Sequence, residues 1–505
     1  MAFLPTLEPP TIMYGVAFAL LSYAISLAVY RRFFHPLARI PGPLLPAVTT
    51  LYQSYYNGRY YMKIAELHEK YGPVVRITPN EIHLSDPDNY DKIYYVGTRF
   101  WKSPVFYGAL CVPHSTFGTP TNEVHKHKRA MINPMFSRKM VLQLENVVQD
   151  KAQKLIKRME AGIAEMKPVD LHHAFRSVSV DVITDYAFDK CYNLLDTPDL
   201  GAHFFALVRG VGPAMWVFQQ FPSLQHLALK TPAWLAPYIS EPLGHVTKMQ
   251  TKCMEQVEDV KARMASGKLN NARPTIFSEL LDPKNNDGWP IPTSWQLKDE
   301  CYSFLAAAAD TTGNAMSTAC YHTLANRDIY ARLKSELVNA FPDASQKLDF
   351  VALEKLPYLT GVIKEGLRLS FGVPGRLPRV TPKGGTAFND YYIPEGTIVG
   401  MSSWLMHRNE DAFPDPMNFN PSRWLNPEDA RRLDRYMVSF GKGSRQCVGM
   451  PLAYCELYVT LGTFFRHFSN MELQVFETTP DDLHFEDFFS GYYIAGKKWF
   501  KAVGH

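Results

Sequence analysis

Apolar and polar residues recur at helical spacing over much of the chain. Residues 61–72 fit one helical pattern, and Gly72 marks its end because glycine favours the backbone turn that closes a helix. Longer stretches with the same spacing predict helices over residues 140–164, 246–266, 296–326, 358–370 and 450–467. We expect a mainly α protein, because these helices outnumber the strands.

Strand patterns form the minor β part. Residues 74–79 and 81–86 alternate apolar and polar side chains and indicate a hairpin. Residues 388–403 indicate another strand pair, with a turn at Pro394, Glu395 and Gly396. No repeat or low-complexity block divides the chain, so we expect one large domain.

An apolar stretch near the N-terminus carries no charge. Residues 11–30 are twenty uncharged residues, which as a helix span ~30 Å, the thickness of the bilayer's hydrocarbon core. A cleaved signal peptide usually has a shorter apolar region, and a buried core helix is the other alternative. Arg31 and Arg32 follow the stretch, whereas Glu8 precedes it, so the positive-inside rule favours a cytosolic main domain.

These features divide the chain into four parts. We expect a lumenal N-terminus over residues 1–10, a single-pass anchor in the endoplasmic reticulum membrane over 11–30, and a catalytic domain over 47–505. Between them, residues 31–46 are rich in proline. Proline fixes φ and removes hydrogen-bond donors, so this segment should be a stiff hinge that holds the domain away from the membrane.

Composition excludes two classes of protein. Among 505 residues, 53 Lys and Arg face 49 Asp and Glu, and a formal charge of +4 is too small and too dispersed for nucleic acid binding. The seven cysteines are an odd number with irregular spacing. That argues against a disulfide framework and for a reducing compartment.

One cysteine lies in an unusual setting. Cys447 follows two glycines and two cations in the stretch from Phe440 to Gly449, and a helix pattern begins directly after it. Nearby cations, flexible backbone and a helix N-terminus all stabilise a thiolate. A buried structural cysteine is the alternative. One protein ligand suits a haem iron, since the porphyrin already supplies four nitrogens.

The spacing F-x-x-G-x-R-x-C-x-G, with Phe440, Gly443, Arg445, Cys447 and Gly449, resembles the haem signature of the cytochrome P-450 family. The resemblance implies the P-450 fold and haem b, with Cys447 as the axial thiolate and Arg445 on a haem propionate. Phe440 and Gly449 would line the cofactor. More narrowly, the chain looks like fungal microsomal members such as trichodiene oxygenase, which act on terpenoids or other secondary metabolites.

Further family motifs follow in the expected order. The stretch of alanines before Asp310 and Thr311 resembles the oxygen-activating element, in which these two residues handle protons and oxygen. The Glu-x-x-Arg pair Glu365 and Arg368, together with Arg423 of a later F-x-P-x-R-W element, implies a buried charge network. Glu428 and Arg431 have the same spacing by chance.

The resemblance also assigns groups to the haem propionates. In an element similar to the family's W-R-x-x-x-R helix, His125 stands where the family usually has Trp and Arg129 matches the final arginine. Arg379 matches another propionate-binding position. Lys126, Lys128 and Lys442 would then form a positive patch that attracts an acidic electron donor.

The resulting hypothesis is a monooxygenase that uses O2 and electrons from NADPH. NADPH-cytochrome P-450 reductase would be its partner, with cytochrome b5 as a second candidate. Its substrate would be a lipophilic small molecule. Two alternatives stay open: a haem-thiolate isomerase or dehydratase that needs no reductase, and a tethered haem- or lipid-binding protein without catalysis.

The family positions that line a substrate pocket are rich in apolar and aromatic residues here, which indicates an apolar substrate. They are residues 100–117, 204–221, 371–377 and 488–494 and the helix around Ala307. Aromatics at this density are also typical of an ordinary core. Within the second stretch, Trp216 and Phe218 are candidates for dipping into the membrane.

Overall fold

The fold is given by a computed structural model that describes residues 9–268, 273–285, 288–343, 345–494 and 500–504. Residues 1–8 of the predicted lumenal N-terminus lie outside the described residues. The helices of the described part are α1 (Pro9–Val29), α2 (Leu44–Val48), α3 (Leu51–Tyr56), α4 (Tyr60–Tyr71), α5 (Tyr90–Ile93), α6 (Pro104–Gly108), α7 (Asn122–Ile132), α8 (Arg138–Ala164), α9 (Leu171–Phe188), α10 (Ala202–Arg209), α11 (Val211–Gln220), α12 (Pro222–Lys230), α13 (Ala236–Ile239), α14 (Glu241–Ala265), α15 (Ile276–Leu281), α16 (Ser294–Asp310), α17 (Thr312–Ala325), α18 (Arg327–Ala340), α19 (Phe350–Leu353), α20 (Pro357–Leu369), α21 (Ser403–Met406), α22 (Pro427–Asp434) and α23 (Met450–His467).

The strands are short and gather into small sheets. They are β1 (Val74–Thr78), β2 (Glu81–Leu84), β3 (Trp101–Lys102), β4 (Val169–Asp170), β5 (Arg379–Val380), β6 (Thr386–Phe388), β7 (Tyr391–Ile393), β8 (Ile398–Gly400), β9 (Leu473–Phe476), β10 (Phe485–Phe488), β11 (Ser490–Tyr493) and β12 (Lys501–Gly504). The largest sheet has the order β1-β2-β8-β5-β3. The mainly α fold with a minor β part is therefore confirmed.

One strand pairing predicted from the sequence is wrong. The hairpin β1–β2 forms as expected, but β7 does not pair with β8. Instead β7 pairs with β6 through a turn at Asn389 and Asp390, and β8 runs parallel to β2. Asn389 adopts φ +49°, a conformation that asparagine tolerates in tight turns, so this turn replaces the predicted one at Pro394–Gly396.

The helices that carry the site pack closely in the interior. α9 lies against α17, and Gly313 makes this approach possible because a Cβ there would come within 2.7 Å of the Cα atom of Arg176. The predicted helix over 450–467 matches α23, which begins after Gly449 with Pro451 in its first turn. Proline suits that position because its fixed φ is helical, and because an N–H group in the first turn would have no hydrogen-bond partner within the helix.

The apolar helix α1 continues through a π-helical turn over Tyr30–Phe34. In the described part of the chain, the stretch Ile12–Phe34 is long and apolar enough to cross a membrane, with a mean hydropathy of 2.0. The proline-rich residues after it do not form a free spacer. Leu37 and Ile40 are buried in one apolar cluster with Val74 and Ile82 of the large sheet.

Candidate functional site

The helix predicted over residues 296–326 is interrupted at Thr311. It forms as α16 and α17, and Thr311 between them has φ −100° and ψ −68°. The Thr311 Oγ1 donates to the carbonyl oxygen of Ala307 at 2.8 Å. A hydroxyl that bonds the carbonyl four residues earlier competes with the backbone and bends a helix. Thr311 thereby lies on the wall of an interior cavity beside Ala307 and Ala308.

This cavity is partly open to solvent, and the empty space between its walls, open solvent included, is about 870 Å³. It brings together parts of the chain that are far apart in sequence, namely the α16–α17 break, the loop after α20 and the loop that leads into α23. The residues that line it are Phe136, Ile183, Phe304, Ala307, Ala308, Thr311, Thr312, Leu367, Ser370, Gly372, Val373, Ser439, Phe440, Cys447, Val448, Gly449, Leu452, Ala453 and Glu456. Most of these are apolar, which suits a flat aromatic cofactor and an apolar substrate.

The loop from Phe440 to Gly449 folds back so that Cys447 faces the cavity. The Cys447 N–H donates to the Phe440 carbonyl oxygen at 2.9 Å. Gly443 has φ +71°, and a Cβ there would come within 2.5 Å of the backbone of Tyr95, so both its backbone angle and its surroundings require glycine. At Gly449 a Cβ would be 3.9 Å from the Cys447 Sγ.

The surroundings of Cys447 act on its thiol in opposite directions. Burial raises its pKa, while the backbone N–H groups of Gly449 and Met450 and the nearby Arg129 lower it. All seven cysteines are free, as their odd number and irregular spacing predicted. Cys447 lies deep in the fold, and its accessible surface faces the cavity rather than bulk solvent. Such a thiol can ligate a metal that enters the cavity.

Five basic side chains gather near this loop. They are Lys102, His125, Arg129, Arg379 and Arg445. Burial, and then the three arginines, hold the pKa of Lys102 well below its usual range. Burial, and then the four neighbouring basic side chains, lower the pKa of His125 to about 2, so its imidazole is neutral at physiological pH. Among the described residues, no carboxylate forms an ion pair with any of the five.

This basic cluster fits the two carboxylates of a haem. Arg445 donates to the carbonyl oxygens of Thr119 and Pro120 at 2.8 and 2.7 Å, but its buried Nε has no hydrogen-bond partner in the part of the chain that the structure describes. Arg379 donates to the Tyr107 Oη at 2.7 Å. Buried cations without counter-charges are costly, and a dianion placed among them would compensate.

Glu365, Arg368 and Arg423 come together as a buried network. Arg368 donates to both Glu365 carboxylate oxygens at 2.8 Å, and the Arg423 Nε lies 3.4 Å from Glu365 Oε1. The Trp424 Nε1 adds a hydrogen bond to the same oxygen at 3.0 Å. The side chains of Glu365 and Arg368 are completely buried. The network therefore ties α20 to the segment around residue 423.

Asp310 points away from the cavity that Thr311 lines. Its Oδ1 lies 3.5 Å from the Arg176 Nε and 3.3 Å from the Arg209 Nε, and its Oδ2 accepts a hydrogen bond from the Ser490 Oγ at 3.2 Å. These partners belong to α9, α10 and the β10–β11 hairpin. Asp310 thus joins three elements that surround the cavity.

The structure corrects two sequence predictions about exposed surfaces, namely the positive patch and the membrane contact of Trp216. Of the three lysines predicted to form a positive patch, Lys126 is exposed, but Lys128 turns inward to the carbonyl oxygen of His114. Lys442 pairs with Asp91 at 3.0 Å. Trp216 is buried and donates to the Asp487 carbonyl oxygen at 2.8 Å, so it cannot dip into a membrane.

Sequence reasoning missed several groups near the cavity. Lys102 falls in a stretch predicted as an apolar wall, and Arg176 and Arg209 lie more than a hundred residues from Asp310 with no motif to mark them. Glu456 lines the cavity, and burial raises its pKa to about 8. Contacts between distant segments create these roles, and local spacing carries no signal for them.

Comparison with known proteins agrees with this geometry. The model of the cytochrome P450 family matches residues 40–489. Cytochrome P450 monooxygenase MO6277 of Ascocoryne sarcoides is 38% identical, with 95% of this chain and 96% of the relative covered. Conidiogenone synthase PchP450 of Penicillium rubens is 35% identical over 92% of this chain and 93% of its own.

Tryptophan 6-hydroxylase fscE of Fusarium equiseti is also 35% identical, and the match covers 88% of each chain. These similarities extend over nearly the whole length of each protein. The family match over residues 40–489 spans the positions of the cysteine loop, the broken helix and the charge network described above. The chain belongs to the cytochrome P450 family and is a monooxygenase of that family.

Proposed function

We propose that this protein is a membrane-anchored haem-thiolate monooxygenase that oxidises a lipophilic small molecule, with O2 and with electrons that a reductase draws from NADPH. One observation carries the proposal. Cys447 and Thr311, from two distant parts of the chain, line the same apolar cavity near the basic cluster, which has no carboxylate partner among the described residues. This is the donor set that a haem with one axial thiolate requires.

The chain has a group for each part of the cofactor. Cys447 would ligate the iron, helped by the N–H groups of Gly449 and Met450. Arg129, Arg379 and Arg445, with His125 and Lys102 beside them, would hold the propionates. Phe440 lies on the same wall of the cavity as the cysteine loop. When bound, the haem supplies reductive activation of O2 and transfer of one oxygen atom to the substrate.

Thr311 and Asp310 would control protons. The Thr311 hydroxyl lies on the cavity wall and can exchange its hydrogen bond to Ala307 for one to a group inside the cavity. Asp310 is held by Arg176, Arg209 and Ser490, so it must leave these partners before it can pass a proton to Thr311. Proton supply should therefore depend on movement of α10 or of the β10–β11 hairpin.

An apolar substrate agrees with an aromatic cluster formed by two of the stretches that the family resemblance assigns to the substrate pocket. The Phe489 ring lies 5.4 Å from that of Phe117 and 6.3 Å from that of Phe106. Phe489 has φ +80°, which is strained for an aromatic residue and is typical of positions fixed for function. The named relatives include fungal enzymes of secondary metabolism, and we propose that this enzyme acts in such a pathway.

Membrane attachment would place the domain at the cytosolic face of the endoplasmic reticulum. Beyond α1, exposed apolar side chains cover α2, α3, α12 and α13, and we call them the apolar patch: Leu44, Leu45, Leu51, Tyr55, Leu227, Tyr238 and Ile239. The Gln53 Nε2 donates to the Gln219 Oε1 at 3.2 Å and so joins α3 to α11, which precedes α12. Within the patch, α2 lies against α1, and exposed apolar side chains beside a membrane helix suit contact with lipid.

NADPH-cytochrome P-450 reductase is the expected electron donor, and cytochrome b5 is a second partner to test. Lys126 on α7 remains exposed for an acidic partner. Removing its charge should lower the rate of reduction by reductase more at low salt than at high salt. The same substitution should leave substrate binding unchanged.

The test is the carbon monoxide difference spectrum of the reduced, membrane-bound protein, compared with Cys447→Ala. We expect a strongly red-shifted Soret band that is absent from the variant. NADPH oxidation with reductase, in the presence of candidate terpenoid substrates, then tests monooxygenation. A haem-loaded, folded wild-type protein without this band would overturn the assignment of Cys447.

A further inference from the structure

Arg76 is a buried arginine in the middle of β1, far from the cavity. Its side chain is 2% exposed, and among the described residues no carboxylate pairs with it. Its Nε and Nη2 donate to the Pro79 carbonyl oxygen at 3.3 and 2.8 Å. These bonds hold the guanidinium against the turn between β1 and β2, with its Nη1 directed toward the N-terminal segment.

The same guanidinium reaches the end of the apolar helix. Its Nη1 donates to the carbonyl oxygen of Arg31 at 3.0 Å and to that of Leu37 at 3.4 Å. Arg31 belongs to the last turn of the apolar helix, where carbonyl groups have no partner within the helix and carry partial negative charge. Arg76 therefore caps this helix with a charge supplied by the catalytic domain.

Other contacts around Arg76 fix the same junction. The backbone N–H of Arg76 donates to the Pro41 carbonyl oxygen at 2.8 Å. A Cβ at Gly42 would come within 2.6 Å of the Arg76 carbonyl oxygen, so the chain passes directly over β1. The Arg31 Nη1 donates to the Val48 carbonyl oxygen at 2.7 Å, and the His35 Nε2 lies 3.2 Å from Asn80 Oδ1.

We propose that Arg76 locks the apolar helix to the catalytic domain as one body and so sets the orientation in which the domain meets the bilayer. The lock would present the apolar patch to the lipid. This inference rests on the proposed membrane insertion of α1. Arg76 is then a positioning residue for the membrane interface.

A guanidinium is suited to this role. Burial, and then the neighbouring Arg31 and Arg32, lower the pKa of Arg76 to about 10, so it keeps its charge at physiological pH. It contacts carbonyl groups on both sides of the junction through a planar set of donors, and no other side chain presents as many in fixed directions. A lysine could reach one side at a time.

The experiment measures linear dichroism of the haem in the full-length holoenzyme, in aligned phospholipid bilayers. We expect the wild-type haem to have one fixed angle to the bilayer. In Arg76→Gln the dichroism should fall toward zero, while the carbon monoxide band of the reduced protein is retained. Arg32→Gln removes a charge from the same junction at an exposed position, and it should keep the wild-type angle.

Trypsin cleavage after Arg39 gives a second readout that needs no bilayer. Cleavage requires the segment around Leu37 to leave the core, and the charged hydrogen bonds of Arg76 oppose this. Arg76→Gln should speed cleavage at least about tenfold. Equal dichroism and equal cleavage in the wild type and Arg76→Gln would overturn the proposal.

Two further measurements distinguish a failure of the proposed lock from a variant that does not fold and from a helix α1 that is not inserted in the membrane. If Arg76→Gln does not fold, Arg76→Lys replaces it, because a lysine could reach only one side of the junction at a time. An unchanged haem angle in Arg76→Lys would overturn the lock. Alkaline carbonate extraction of membranes tests insertion of α1 separately. Release of the wild type by carbonate contradicts the anchor, and the tryptic comparison then decides on the lock.

Discussion

Arg209 at the end of α10 holds its Nε 3.3 Å from the Oδ1 of Asp310 at the end of α16. The Arg209 guanidinium also lies over the Tyr492 ring, 3.9 Å from its centroid, and donates to the Gly491 carbonyl oxygen at 3.2 Å. Arg209 therefore connects the acid of the oxygen-activating element to the β10–β11 hairpin. A movement of the β10–β11 hairpin would therefore shift Arg209 and change whether Asp310 is free to transfer a proton.

The Asp310 carboxylate should have separable structural and chemical roles. Asp310→Asn leaves the buried Arg176 and Arg209 without a counter-charge and should lower the free energy of unfolding by ~3–5 kcal/mol. Adding Arg209→Met removes one of the unpaired cations, so the double variant should regain stability without regaining turnover. Chemical unfolding and product formation with reductase measure the two effects. Full turnover in either stable variant would contradict the proton role.

The Thr311 hydroxyl should couple electron use to product formation. Thr311→Ala is expected to keep haem and NADPH consumption while product falls and hydrogen peroxide rises. Thr323→Ala is a matched control, because the Thr323 Oγ1 donates to the Ala319 carbonyl oxygen at 2.7 Å in the same manner but is buried in α17 away from the cavity. Equal coupling in the wild type and Thr311→Ala would count against the assignment.

The basic cluster should affect the apoprotein and the holoprotein in opposite directions. Lys102→Met removes a buried cation that is repelled by Arg379, Arg445 and Arg129, so the apoprotein should become more stable. The holoprotein should release haem faster, because a propionate loses a partner. Denaturant unfolding of both forms, and haem transfer to apomyoglobin, measure these effects. The exposed Lys126→Met is the control, and unchanged haem release in Lys102→Met would refute the role.

The Glu365 network should be essential for the folded protein. Glu365→Gln leaves Arg368 and Arg423 with an uncompensated buried charge, which typically costs ~3–5 kcal/mol. We expect most of the variant to lack the carbon monoxide band. Glu428→Gln changes the exposed pair of identical spacing and should shift stability by less than ~0.5 kcal/mol. Similar effects of the two substitutions would contradict the network.

His407 should make the protein sensitive to acid. Its Nδ1 faces the Arg368 carbonyl oxygen at 2.9 Å and its Nε2 accepts from the Val438 N–H at 3.0 Å, so the ring is neutral, and burial lowers its pKa to about 3. In the unfolded chain the His407 ring binds a proton as the pH falls below about 6.5, whereas in the native protein the ring stays neutral until the pH approaches about 3. Stability should therefore fall by ~1.4 kcal/mol per pH unit for this group as pH drops from about 6.5 toward 3.

The slope of unfolding free energy against pH measures this contribution. His407→Gln should have a smaller slope below pH 6.5 than the wild type, even though it is less stable at neutral pH. His226→Gln, at an exposed position, should leave the slope unchanged. Parallel slopes in the wild type and His407→Gln would exclude His407 as a source of acid sensitivity.

The sequence predicted the long helices and the order of the motifs because both depend on local spacing. The α8, α20 and α23 helices match their predicted ranges within a few residues at each end. The break at Thr311 escaped prediction, because alanines and threonines there also suit a continuous helix. The pairing of β8 with β2 was not predicted either. A strand of three residues carries too little pattern to specify its partner, which depends on the rest of the fold.

Candidate residues divide in the same manner. Cys447 and the Glu365 network belong to local motifs, and the structure brings their members together. The partners of Asp310 and the buried Lys102 depend on contacts across more than a hundred positions or on burial that spacing does not reveal. The prediction that Trp216 faces outward was wrong, because an aromatic side chain in an apolar stretch can equally fill the core.

The docked segment around Leu37 determines where a soluble version of this enzyme should begin. A recombinant protein cut at residue 47 would uncover Val74 and Ile82, which Leu37 and Ile40 now cover, and would remove the Pro41 carbonyl that accepts from Arg76. Cutting between Tyr30 and Arg31 would delete the apolar helix and spare these contacts. We expect higher yield and less aggregation from the longer version during bacterial expression.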